Sequence, residues 1–141
     1  MESSDVRRRL NLTIDRAQRA AAERRVKADK ASLDYQEFLD RVAVPLFRQV
    51  AQALKAGRYP FAMSTPGGSV RLTSERSADN YIELSLDTTG EEPVVLGHTR
   101  RTRGQRVLDT ERPIGTGAVG NLTDEQVLVF LLKELEPFVE R

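Results

Sequence analysis

Tyr81-Ile82-Glu83-Leu84-Ser85-Leu86 alternates side chains so that Ile82, Leu84 and Leu86 share one face of an extended strand while Tyr81, Glu83 and Ser85 share the other. A strand of this kind belongs to a sheet with one apolar side, and that side must be covered by helices or by another sheet. The same reading extends outward over Phe61 to Arg112. Tyr59 to Ser64 reads as a short first strand, Val70 to Thr73 as a second, Tyr81 to Asp87 as a third, Val94 to Arg101 as a fourth and Arg106 to Arg112 as a fifth. Turn residues separate them at Thr65-Pro66-Gly67-Gly68, Ser77-Ala78-Asp79-Asn80, Thr88 to Pro93 and Arg103-Gly104. Proline followed by glycine is the signature of a type II turn, in which glycine supplies the positive φ. The sequence therefore predicts an antiparallel β-meander of four to five strands.

Helical sequence lies on both sides. From Val6 to Ala31 the chain is rich in Ala, Arg, Glu, Lys and Gln without proline or glycine, yet it has few large apolar residues after Ile14. Such a segment forms a weakly anchored helix, or one that gains its partner from another subunit. Asp29-Lys30-Ala31-Ser32 is a point where it could be interrupted, and Asp34 with Glu37 has the form of a capping box that could start a fresh helix; one long helix running through is the alternative. From Tyr35 onward the pattern becomes Tyr35, Phe38, Leu39, Val42, Leu46, Val50 and Leu54, one face of the principal core helix. Pro45 lies inside it and predicts a kink or register break near Arg41 to Val44, and Gly57 is placed to take the left-handed conformation that ends the helix. At the other end, Thr123 and Gln126 form a capping box, Leu122 and Val127 a hydrophobic staple, and Val127, Leu128, Leu131, Leu132 and Leu135 predict a largely buried helix whose regular part ends at Pro137.

The predicted fold is α+β: a helical arm over 1–31 that could oligomerise, then a single domain over 32–141. That domain holds a core helix (34–56), the meander (59–113), a glycine-rich flexible crossing (114–121) and a C-terminal helix (123–138). With 141 residues, 39% of them hydrophobic, there is material for one core and not two.

Composition excludes several functions. The chain has no cysteine, which removes thiolate ligands and a cysteine nucleophile and fits a cytoplasmic setting. His98 is its only histidine, so no metal site and no cofactor are expected. No window approaches the roughly 18 apolar residues of a membrane span. The net charge of +1 is unevenly spread: residues 1–57 hold 12 Lys/Arg against 8 Asp/Glu, and residues 122–141 hold 2 against 5.

Three stretches carry conceivable chemistry. Gly115-Thr116-Gly117-Ala118-Val119-Gly120 has the form of the dinucleotide pattern GxGxxG, but the capping residues start the next helix after the last glycine and only 21 residues follow, so it reads as a linker that at most touches a phosphate. His98 could pair with Asp87 or Glu83 across neighbouring strands, although no spacing requires it and no nucleophile motif accompanies it. The hairpin from Thr99 to Arg106 is the densest positive charge, and Arg100, Arg101, Arg103 and Arg106, together with Arg7, Arg8 and Arg9, are the candidate anion or nucleic-acid contacts. No aromatic residue interleaves the hairpin to stack on bases.

Two functions fit. The first is a non-enzymatic protein-interaction or scaffold module acting as a homodimer, with an unidentified protein as a further partner. The alternative is a nucleic-acid or phosphate-binding module using the basic hairpin 99–106 and the N-terminal arginines.

Overall fold

One rod of helix runs from Ser3 to Ala56 in the computed structural model, which describes residues 1–140. It consists of α1 (Ser3–Phe38), a π-helical turn (Leu39–Ala43) and α2 (Val44–Ala56). The suggested interruption at Asp29 to Ser32 does not occur. Asp34 caps nothing; its carboxylate accepts instead from Lys30 Nζ at 3.0 Å, an i,i+4 pair that supports the helix.

Pro45 breaks the regularity where the sequence places the break. It has no N–H to give to the Arg41 carbonyl and its ring would crowd that turn. The chain responds by widening the turn before it: the Val44 N–H reaches back to the Leu39 carbonyl, a π-type bond, and one extra residue enters the turn. The buried stripe is thereby shifted. Tyr35, Phe38 and Leu39 are buried as the periodicity implies, but beyond the π-turn the buried residues are Ala43, Phe47 and Ala51, while Val42, Leu46, Val50 and Leu54 sit only partly buried beside them. α2 ends at Ala56 as the sequence suggests, but the left-handed residue comes one position later than expected. Gly57 has φ −84°, and the left-handed residue is Arg58 at φ 71°, with the Tyr59 N–H closing the end on the Leu54 carbonyl at 2.8 Å.

The meander has five strands: β1 (Phe61–Ser64), β2 (Val70–Ser74), β3 (Tyr81–Asp87), β4 (Val94–Arg103) and β5 (Arg106–Pro113), all antiparallel and paired in chain order. Gly67 and Gly68 both take positive φ in the first turn, as does Gly104 in the last. Ile82 and Leu84 are fully buried, and register places Val70 and Leu72 of β2 beside them. Together with Val95 they form the face on which the helices lie, and the Tyr35 hydroxyl crosses the gap to donate to the Leu84 carbonyl at 3.2 Å.

The crossing after β5 is pinned rather than loose: the Ile114 N–H donates to Val95 O at 2.9 Å, and Ile114 and Val119 are buried. α3 (Asp124–Val139) then starts at its capping box, Gln126 N–H donating to Thr123 Oγ1 at 3.2 Å and Thr123 N–H to Gln126 Oε1 at 3.0 Å. α3 lies on the same face as α2, because Gly97 leaves a gap in β4 that the Phe130 ring fills; a Cβ there would overlap the ring. Two expectations fail in α3. The helix continues through Pro137, held by Phe138 packing edge-on against Phe61 at 5.8 Å, so tertiary contact overrides the local break. The helix is also not buried on most sides: Val127, Phe130, Leu131 and Leu135 face inward, whereas Val129 and Leu132 face solvent.

Candidate functional site

Strand alternation decides where the hairpin arginines go. In β4, Arg100 lies on the open face of the sheet, while Arg101 and Arg103 lie on the helix side. Arg100 is engaged: its Nε is 3.3 Å from Asp109 Oδ1, within ion-pair reach though poorly angled for a hydrogen bond. Arg103 and Arg106 stand directly opposite one another across the turn, two exposed like charges. Arg101 borders a cleft of about 510 Å³ under the hairpin, with Asn80, Pro137 and Phe138 among its walls. The four arginines thus split between two faces and do not form one row against a phosphate backbone.

Arg7, Arg8 and Arg9 are consecutive on α1, so their side chains fan around the helix at about 100° intervals. Arg8 is paired with Asp5 at 2.8 Å. They are also far from the hairpin. Lys27 Nζ bonds Glu92 Oε1 at 2.6 Å and Arg24 lies 3.7 Å from Glu91, which straps α1 to the connection between β3 and β4. That connection and the β4–β5 turn lie at opposite ends of β4, so the N-terminal arginines and the basic hairpin sit at opposite ends of the molecule.

The open face of the sheet carries a ladder of polar groups. Arg71 Nε donates to Glu83 Oε2 at 2.7 Å and its guanidinium lies 4.2 Å over the Tyr81 ring. Tyr81 meets the His98 ring edge-on at 5.3 Å, and His98 Nε2 is 2.9 Å from Asp109 Oδ1. His98 therefore pairs with neither Glu83, which Arg71 holds, nor Asp87. The Asp87 carboxyl is held below its usual value by hydrogen bonds from the Thr89 side chain and backbone. Each member of the ladder has a partner, and no nucleophile stands beside the imidazole. The arrangement stiffens the sheet.

The glycine-rich crossing offers no phosphate cradle. Gly120 lies against the Asp34 carboxylate, and Glu92 stands in the wall of the pocket beside Gly115 to Ala118; both would repel an anion. Among the described residues, no group of three His, Cys, Asp or Glu side chains could hold a metal ion, and no helix is long and apolar enough to cross a membrane.

What remains is α1 itself. Ala28, Ala31 and Tyr35, the stripe facing the body, resume past Arg24 and Arg25, after a step of seven, as Ala21, Ala17, Ile14 and Leu10 in steps of three and four. Beyond the strap at Arg24 and Lys27 the stripe is half-buried at Ala21 and exposed from Ala17 to Leu10. Leu10 is 56% exposed and Ile14 43%. The projecting part, about 25 residues, is about 35 Å long. The sequence alone marks this helix as weakly anchored, and only the end of the sheet shows where its cover stops. No family model, curated protein or solved structure matches the chain.

Proposed function

We propose that the protein is a non-enzymatic interaction module that forms a homodimer through its projecting N-terminal helix. The observation that carries this reading is the apolar face of α1, body-facing at Ala28, Ala31 and Tyr35, interrupted at Arg24 and Arg25, and exposed at Leu10, Ile14 and Ala17. An isolated helix of this composition is marginal in water, and a second copy supplies the missing cover. A cytoplasmic setting belongs to the same reading and is supported by the absence of cysteine. Sedimentation at several concentrations tests it, comparing the full chain with one beginning at Glu23, which keeps the Arg24 and Lys27 straps. The full chain should dimerise and the shortened one should not. A full chain that stays monomeric, or a shortened one that dimerises equally well, overturns the reading.

A second reading is favoured by one observation: between Ser3 and Lys27 there are eight Lys/Arg against three Asp/Glu. In this reading the arm grips a nucleic acid without the hairpin, and affinity falls with salt at a slope of about 0.9 per phosphate contacted on duplex DNA. Binding of random duplex DNA and RNA at physiological salt is expected to be absent. Sub-micromolar affinity there would put this reading first.

A further inference from the structure

We infer that the arm of one copy docks on the outer face of α3 in a second copy, in a reciprocal twofold exchange; this rests on the self-association reading above. α1 cannot fold back on its own α3, because arm and core helix are one rod. The occupant of any surface that the arm covers is thus another chain.

Two such surfaces compete, the partner's arm and the partner's α3, and charge separates them. Ahead of the strap each arm, Ser3 to Glu23, carries five cations and three anions, so arms laid together bring an excess of like charge into contact. The outer side of α3 has the opposite sign, with Asp124, Glu125 and Glu136 against Lys133 alone. Its outward stripe is Glu125, Val129, Leu132, Glu136, in steps of four, three and four along one line. Val129 is 56% exposed and Leu132 59%, two apolar residues bracketed by carboxylates. The arm presents the complement: Leu10 and Ile14, with Arg7 on the flank of the stripe about one turn ahead of Leu10. Ala17 and Ala21 beside them allow close approach of a second helix. The arm, about 35 Å, is longer than α3, about 24 Å, and can lie along its full length.

The lack of native cysteine makes the test direct. Single variants Ile14→Cys and Leu132→Cys, mixed under mild oxidation, should give the mixed disulfide in preference to either homodisulfide. Independently, Glu125→Arg with Glu136→Arg should weaken sedimentation-measured dimerisation by about tenfold or more, Arg7→Glu should weaken it too, and combining the three should restore part of it. All five positions are on the surface, so circular dichroism should show native helix content throughout. If only the Ile14→Cys homodisulfide forms and the α3 charge variants dimerise normally, the arms pair with each other; the docking site is then wrong while self-association stands. If the unaltered protein is monomeric, both fail.

Discussion

The two halves of the long helix share one rod and one stripe, yet different forces hold them. Before the strap at Lys27 the stripe consists of Leu10, Ile14 and alanines over nothing, and helix propensity with i,i+3 pairs such as Asp5–Arg8 must suffice. After it, Tyr35, Phe38 and Phe47 bury large side chains on the sheet. Helix former content is similar or better in the arm, so propensity alone does not decide which half is anchored. Buried area does.

Phe47→Ala is the sharpest test of that contrast. Phe47 is fully buried, and its loss should cost about 3–5 kcal/mol by denaturant unfolding. A cost under about 1 kcal/mol would mean that the stripe beyond the π-turn is not the buried one.

Tyr35→Phe should cost about 0.5–1.5 kcal/mol through loss of the bond to Leu84 O. It also has a pH signature. Burial raises the Tyr35 phenol well above its ordinary value, with the Glu83 charge adding to the effect. Above about pH 10 the unfolded chain ionises while the folded chain holds its proton, so this contribution is whole below that pH and is lost as pH rises. The gap between wild type and variant should therefore shrink from pH 9 to pH 11. An equal gap at both would show that the phenol is not kept neutral by its surroundings.

Arg58→Gly should act in the opposite direction. A left-handed arginine closes the anchored half, and glycine there should stabilise by about 0.5–1 kcal/mol, read as a higher denaturant midpoint. Leu10→Ala should have the smallest effect of all, below about 0.5 kcal/mol at concentrations where the chain is monomeric. A larger loss in dilute protein would show that the arm is packed on its own body.

Much of the fold was legible because alternation and caps are local signals: Ile82 and Leu84 announce the sheet's apolar face, and Thr123 with Gln126 announces the start of α3. Pro45 also announced a break. It did not announce its consequence, because the one-residue insertion that brings Phe47 inward depends on how the preceding turn relaxes. Phe130 went unnoticed for a related reason, since the gap it fills is the missing side chain of Gly97 on a distant strand. The candidate contacts fared worse. Arg7 to Arg9 and the hairpin arginines are alike in composition but lie at opposite ends of the molecule, which only the path of α1 across the sheet reveals. The ladder from Arg71 through Tyr81 and His98 to Asp109 needs the register of four strands before any two members meet.

The π-turn has a consequence for which length changes the protein can tolerate. Residues gained or lost near Ser3 leave the remainder of the rod in place. A single residue gained or lost between Phe38 and Phe47 would instead turn everything before it by about 100° relative to the sheet. Tyr35 would leave the core, and the face the arm offers its partner would swing with it. Insertions and deletions should thus be free at the tip and forbidden at the turn, so the aim of a surface formed by Leu10 and Ile14 is fixed some thirty residues away.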